Sequence, residues 1–258
     1  MKDVNKIVLI IAIIIVVCLI GCVSYGLIKS STQDVKNPIV TMEIEGYGIV
    51  KIELYPDVAP NTVKNFIKLA NNGFYNDLTF HRIISDFMIQ GGDSNGDGTG
   101  KGMYSALDPN TTKDYSYSIK GEFFANGYKN KLKHTKGVIS MARSDYSSLG
   151  MTEEGYNSAS TQFFIMTSDN TSLDGYYTPF GKVIEGYEIV EKVAATQVQE
   201  ADSEKGIAEG TPVSAPVIKS VTVDTFGVDY GMPEVEEAFD YNSYLQQMYG
   251  LDASSLSN

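Results

Sequence analysis

Few residues in this chain can do chemistry, and their types narrow what that chemistry is. There are 2 histidines, His81 and His134, and 2 cysteines, Cys18 and Cys22, both near the N-terminus. So small a set makes a zinc centre an unlooked-for feature. Counting leaves a Ser-His-acid triad open, yet no serine stands in a Gly-x-Ser-x-Gly elbow. Asp93-Ser94-Asn95-Gly96-Asp97-Gly98 imitates the first half of a calcium loop, but the position that needs a bidentate glutamate is Tyr104, and a Gly/Asp turn is the better account. Gly100-Lys101-Gly102 imitates a phosphate loop, but Asn95 stands where its first glycine belongs and Gly102 where Ser or Thr would touch magnesium. What remains is the segment Phe80 to Asp93, in which Arg82 alternates with Phe80 and Ile84 and Gln90 precedes two glycines. On pattern alone, Arg82 reads as a surface arginine on a strand.

The elements that must position these residues are short. Pro38 to Leu54 alternates apolar (Ile39, Met42, Ile44, Ile49, Ile52, Leu54) with charged residues around Glu45-Gly46-Tyr47-Gly48, which predicts a hairpin. Val63, Phe66, Ile67 and Ala70 recur at helical spacing after Pro60, with Asn61 as the candidate cap and Asn72-Gly73 as the stop. Strands are expected on both sides of Ser85-Asp86, then at Gly137 to Ala142, Ser160 to Thr167, Phe180 to Val183 and Val217 to Val223, with a second helix at Tyr187 to Ala194. Many short strands with two separated helices predict a mainly β fold, a closed antiparallel eight-stranded barrel with a helix over each open end.

The chain has 258 residues and a formal net charge of −12, which repels nucleic acid backbones and anionic headgroups. Lys2 and Lys6 precede an apolar run from Ile7 to Ile20, as in an export signal, and Leu19-Ile20-Gly21-Cys22 follows. That ending resembles the lipobox of bacterial lipoproteins, in which the cysteine, here Cys22, is acylated. A plain membrane-spanning anchor is the alternative, at the short end of the necessary length. Either reading places the rest of the chain on the extracytoplasmic face of a membrane. The expected organisation is a signal and anchor at 1–22, a polar tether at 23–37, one domain at 38–224 and a tail at 225–258 with six acidic and no basic residues. Whether that tail is a loose appendage or a docked helix is open.

Phe80-His81-Arg82-Ile83-Ile84-Ser85-Asp86-Phe87-Met88-Ile89-Gln90-Gly91-Gly92-Asp93 resembles the signature of the cyclophilin family of peptidyl-prolyl cis-trans isomerases. Leu132 to Arg143, Ser158 to Ile165, and Leu173-Asp174-Gly175 with Phe180-Gly181-Lys182-Val183 resemble its further motifs, in the family's order. The resemblance implies an enzyme that accelerates Xaa-Pro isomerisation in exported proteins, with proline-containing polypeptides as partners, a membrane met through the lipid, and no nucleic acid, nucleotide, metal or cofactor. The alternative is a chaperone module that binds proline segments with little turnover.

The implied chemistry is undemanding in residue types. Amide rotation must cross about 18–20 kcal/mol, and no bond is made or cut. An apolar slot for the proline ring and well-placed donors suffice. The resemblance makes Arg82 the catalytic arginine, hydrogen-bonding the prolyl nitrogen as it loses conjugation, a task its five fixed donors suit. It puts Phe87, Met88, Phe164 and Leu173 in the proline pocket and makes Gln90 and Gln162 polar walls that orient substrate and arginine. Ala142 and Arg143 fall on the rim for residues preceding proline, and Tyr177 on a position often held by histidine. By strand alternation Phe163 should point away from Phe164. The sequence departs from common members at Ser172, where many carry a tryptophan that contacts cyclosporin, at Arg143 in place of asparagine, and in the longer loop from Ser144 to Asn157.

Overall fold

A computed structural model of the chain describes residues 15, 16, 18 and 36–249. Cys22, nearly all of the 23–37 tether and the last nine residues lie outside the described residues. The chain divides into two units, Met1–Lys36 and Asn37–Asn258. In the first, residues 15, 16 and 18 are helical and Cys18 is an exposed free thiol.

In the second unit, β1 (Ile39–Ile44) and β2 (Gly48–Leu54) form the expected hairpin, with Ile44 paired to Gly48. Val40, Met42 and Ile44 of β1 and Val50, Ile52 and Leu54 of β2 are the buried set. Ile49, read from the sequence as part of that face, is 51% exposed. A strand's period of two forces this: with Ile52 and Leu54 inside, Val50 must be inside and Ile49 outside.

Helix α1 (Pro60–Asn71) buries Val63, Phe66, Ile67 and Ala70, as their spacing predicts. Its start differs from the expectation. The N-cap residue is Ala59, which has no capping side chain, and Pro60 occupies the first turn. Glu122 supplies the cap from elsewhere: its carboxylate accepts from Asn61 N–H (3.0 Å), Thr62 N–H (2.8 Å) and the Thr62 hydroxyl (2.7 Å). An anion at the positive end of a helix dipole satisfies donors that the helix cannot. Phe66 then packs against Tyr75, Phe163 and Phe180.

The remaining long strands are β3 (Arg82–Ile84), β4 (Met88–Gly91), β6 (Val138–Met141), β7 (Phe163–Met166), β8 (Thr178–Glu185) and β9 (Ile218–Asp224). A helix α4 (Tyr187–Ala194) buries Val190 and Val193. The sheet is antiparallel and eight-stranded, but it is open, not the closed barrel that the sequence led us to expect. Its order is β3-β4-β7-β6-β8-β2-β1-β9, with β3 and β9 as the two edges. An irregular segment stands between them. Ile83 N–H reaches Gly210 O (2.8 Å), Phe80 N–H reaches Pro216 O (2.9 Å), and one isolated bridge joins Thr79 to Val217. Pro216 has no N–H to give and Gly210 is held at φ +83°, so this stretch cannot run as a ladder.

The sequence reading did not include α2 (Tyr104–Leu107), α3 (Thr152–Tyr156), or β5 (Tyr117–Ser118) paired with β10 (Glu236–Glu237). The tail thus folds back as a strand, followed by α5 (Tyr241–Tyr249).

Candidate active site

The site is built on one face of four adjacent strands. The β3–β4 hairpin pairs Arg82 with Gln90 and Ile84 with Met88, across a short turn in which Asp86 takes φ +56°. On β4 and β7, Gln90 faces Phe164 and Met88 faces Met166, and Phe164 faces Ser140 of β6. Alternation then sorts the side chains. Ile83, Ile89, Ile139, Phe163 and Ile165 enter the main core beneath α1, while Met88, Val138, Phe164 and Met166 form a smaller cluster on the opposite face. Phe163 and Phe164 therefore point opposite ways.

Over that smaller cluster lies a cavity of about 250 Å³, lined by Arg82, Phe87, Met88, Gln90, Ala142, Arg143, Phe164, Leu173 and Tyr177. The sequence-selected residues of the groove are thus brought to one place, except Gln162, which stands behind Gln90. Met88 (2% exposed) and Phe164 (4%) make an apolar floor. Tyr177 meets Phe164 edge-on at 5.8 Å, and the Arg143 guanidinium covers the Tyr177 ring at 4.6 Å. Arg143 also donates to Tyr176 O and Ser144 O (2.9 Å each), so its side chain holds the rim together.

Arg82 is aimed by a polar relay. Its guanidinium lies 3.5 Å from Gln90 Oε1. Gln90 Nε2 donates to Gln162 Oε1 (2.9 Å), and Gln162 Nε2 donates to Asp93 Oδ1 (2.9 Å), with Gly98 O and Gly100 O also in reach. Asp93, 1% exposed, accepts from Asp97 N–H and Gly98 N–H with its other oxygen (3.0 Å each). Both of its oxygens are occupied by N–H donors, which makes the 93–98 segment a turn organised around a carboxylate. Gly92 sits at φ +81°, where an added Cβ would lie 2.6 Å from Thr161 O, so only glycine brings Asp93 back under Gln162.

A second polar cluster backs Phe164. The His134 ring stacks on Phe164 at 6.1 Å, with Nδ1 3.1 Å from Asp174 Oδ1 and Nε2 3.1 Å from Ser140 Oγ. Burial pushes the His134 pKa down against the opposing pull of Asp174. Burial also pushes the Asp174 carboxyl up, but its hydrogen bonds from His134 and Lys133 outweigh this and hold it below the usual range. A neutral imidazole beside a carboxylate that can only accept must donate through Nδ1 and accept from Ser140 through Nε2. This is the Ser-His-acid string that counting left open, but Ser140 is 0% exposed, so its hydroxyl is no nucleophile for the groove. Asp93, His134, Ser140 and Asp174 were not picked out from the sequence as site residues. Asp93 ends the glycine-rich motif and carried a signal; the other three meet only through folding.

The profile of the family described as cyclophilin type peptidyl-prolyl cis-trans isomerase/CLD matches residues 39–223. A peptidyl-prolyl cis-trans isomerase-like 2 of Rhizopus delemar is 39% identical over 171 residues, which take in 66% of this chain and 27% of that protein. The chain spans about a quarter of that relative's length. Peptidyl-prolyl cis-trans isomerase B of Escherichia coli is 35% identical over 185 residues, 69% of this chain and 94% of that protein. A crystal structure of a Cryptosporidium parvum cyclophilin type isomerase, in the presence of the dipeptide ala-pro, matches with a TM-score of 0.56 at 28% identity, covering 72% of this chain and 98% of that one.

The likeness to isomerase B, aligned over almost its whole length, corrects the extracytoplasmic, lipid-anchored placement read from the N-terminus. That placement rested on charge beside an apolar run that lies mostly outside the described residues; among the described residues no helix is long and apolar enough to cross a membrane. With the family's motif residues gathered around one apolar slot and its profile matching most of the sequence, the chain belongs to the cyclophilin type peptidyl-prolyl cis-trans isomerases and is an enzyme of Xaa-Pro isomerisation.

Proposed function

We propose that this isomerisation runs without covalent chemistry in the groove between Arg82 and Tyr177, with Arg82 as the catalytic residue. The proline ring enters the slot against Phe87, Met88, Phe164 and Leu173. Arg82 donates to the prolyl nitrogen as it loses conjugation, when its lone pair becomes a better acceptor than in the planar amide. Gln90, steadied by Gln162, keeps the fork on that atom. Ala142 offers backbone groups to the residues before proline, while Arg143 and Tyr177 close the rim.

The observation that carries this reading is the relay from buried Asp93 through Gln162 and Gln90 to Arg82, at the edge of an apolar floor. The test is the cis-trans exchange rate of an Ala-Pro-Phe peptide with the full chain and with Arg82→Ala, each checked for folding. Loss of about 10²-fold or more in the variant supports the role; near-full activity sinks it. Peptide binding without exchange by the native chain would point instead to a chaperone module for proline segments.

The isomerase domain is taken as 38–224, with 1–22 a signal or anchor, 23–37 a tether and 225–258 an acidic tail. Leu19-Ile20-Gly21-Cys22 supports a lipoprotein-type member in which Cys22 is acylated. The intact mass of the purified protein tests this: a chain that begins at Cys22 and carries acyl groups agrees with it, and an unmodified chain that keeps residue 1 does not.

A further inference from the structure

Between residues 120 and 136 the chain carries five lysines and one acid, Glu122, although its formal net charge is −12. Three of those lysines, Lys129, Lys131 and Lys133, are exposed and alternate with side chains that are fixed inward. Asn130 Nδ2 donates to Glu122 O (3.1 Å) and Pro179 O (2.9 Å), and Leu132 packs against the apolar cluster beneath the proline slot. The His134 ring is buried between Asp174 and Ser140. With these three anchored, the intervening lysines face outward together, along a stretch that spans at most about 14 Å.

These cations are little opposed. Lys133 Nζ lies 3.3 Å from Asp174, yet its side chain stays 67% exposed. Among the described residues no carboxylate stands within salt-bridge reach of Lys129 or Lys131. Glu122 is buried, and its carboxylate caps α1.

The kind of anion that fits follows from the reach of the field. At about 0.1 M salt, exposed charges are screened beyond about 10 Å. A membrane or a nucleic acid lies against much of the surface at once and meets the net repulsion of the whole chain. A short acidic stretch of polypeptide meets only the charges nearest to it, and a proline already in the slot holds that stretch at high effective concentration. The strip begins beside the slot, since Lys133 pairs with Asp174, whose neighbour Leu173 is in the lining. Ala142 and Arg143 take the residues before proline, which leaves this side to the residues after it.

We infer that Lys129, Lys131 and Lys133 form a docking strip for an acidic run in a client polypeptide, a few residues after the proline held in the slot. The inference rests on the groove assigned above.

The test uses peptides with one Ala-Pro-Phe core followed by four residues of Glu, Gln or Lys, and kcat/KM from exchange rates at about 20 mM and about 0.5 M salt. The full chain should favour the Glu over the Gln peptide by about three-fold or more at low salt and disfavour the Lys peptide. At high salt all three should fall within about two-fold. Lys129→Gln/Lys131→Gln, which leaves Lys133 on Asp174, should lose the preference and keep the rate on the Gln peptide, and that rate also shows that it folds. Lys113→Gln/Lys219→Gln removes as much charge from other exposed positions and should keep the preference. Equal low-salt rates on the Glu and Gln peptides, a preference that survives in Lys129→Gln/Lys131→Gln, or one lost equally in the control variant overturns the inference. Binding to phosphatidylglycerol vesicles that needs Lys129 and Lys131, with no preference among the peptides, overturns it in favour of a membrane. Absence of exchange on the Gln peptide by the native chain overturns the groove assignment itself.

Discussion

Gln90 donates to Gln162 Oε1 across 2.9 Å, and this bond decides which end of Gln90 faces Arg82. The amide nitrogen of Gln162 is committed to Asp93 Oδ1 and the carbonyls of Gly98 and Gly100, which leaves only its oxygen for Gln90. Gln90 must then present its own oxygen to the guanidinium, 3.5 Å away. A buried carboxylate thus orients the arginine through two neutral amides.

Gln162→Leu keeps the bulk and removes the relay. It leaves Asp93 Oδ1 without that donor and lets Gln90 turn its amide either way. Exchange kinetics should show kcat down about 10-fold with KM little changed, and urea unfolding should show a loss of about 1–3 kcal/mol. Full activity in a folded variant would mean that Arg82 needs no such orientation.

Glu122→Ala removes the remote cap of α1, exposing no substrate group but leaving the Asn61 and Thr62 donors unsatisfied in a largely buried place. Stability should drop by about 1–3 kcal/mol, with activity per folded molecule unchanged. An unaltered urea midpoint would show that the helix start finds another acceptor.

Burial holds the pKa of His134 below its ordinary 6.5, against Asp174, and that of His81 likewise, against Asp93. As pH falls through that value the unfolded chain binds protons that the folded chain still refuses, so stability declines, by up to about 1.4 kcal/mol per pH unit for each histidine. At higher pH neither state is charged and the effect is gone. Urea midpoints measured from about pH 7 to pH 5 should fall, and His134→Gln should flatten the curve. Equal slopes in the native and variant chains would contradict a depressed His134.

Ser172 is exposed next to Leu173 of the slot, with its hydroxyl on Asn170 Oδ1 at 2.6 Å. It offers almost no apolar surface where many relatives have an indole, so cyclosporin should bind weakly. Ser172→Trp should tighten that binding by about 10-fold in a competition assay against peptide exchange. An unchanged affinity would put the missing contact elsewhere.

What the sequence determined by itself is local. The alternation from Phe80 to Gly91 placed Arg82, Met88 and Gln90 on one face, because a short hairpin pairs residues only a few positions apart and a strand's period of two does the rest. The helical spacing of Val63, Phe66, Ile67 and Ala70 determined α1 in the same way. In β2 the apolar neighbours Ile49 and Val50 obscured the face, although the period of two set by Ile52 and Leu54 points Val50 inward, as the structure has it. Tertiary structure alone decided the rest: Asp93 beneath Gln162, Glu122 on α1, His134 between Asp174 and Ser140, β10 on β5, and an open edge filled by 210–216 where a closed ladder was expected. Each of these joins groups distant in the chain. Buried polar groups and strand edges take whichever partner folding brings within hydrogen-bond reach, and sequence periodicity does not encode such partners.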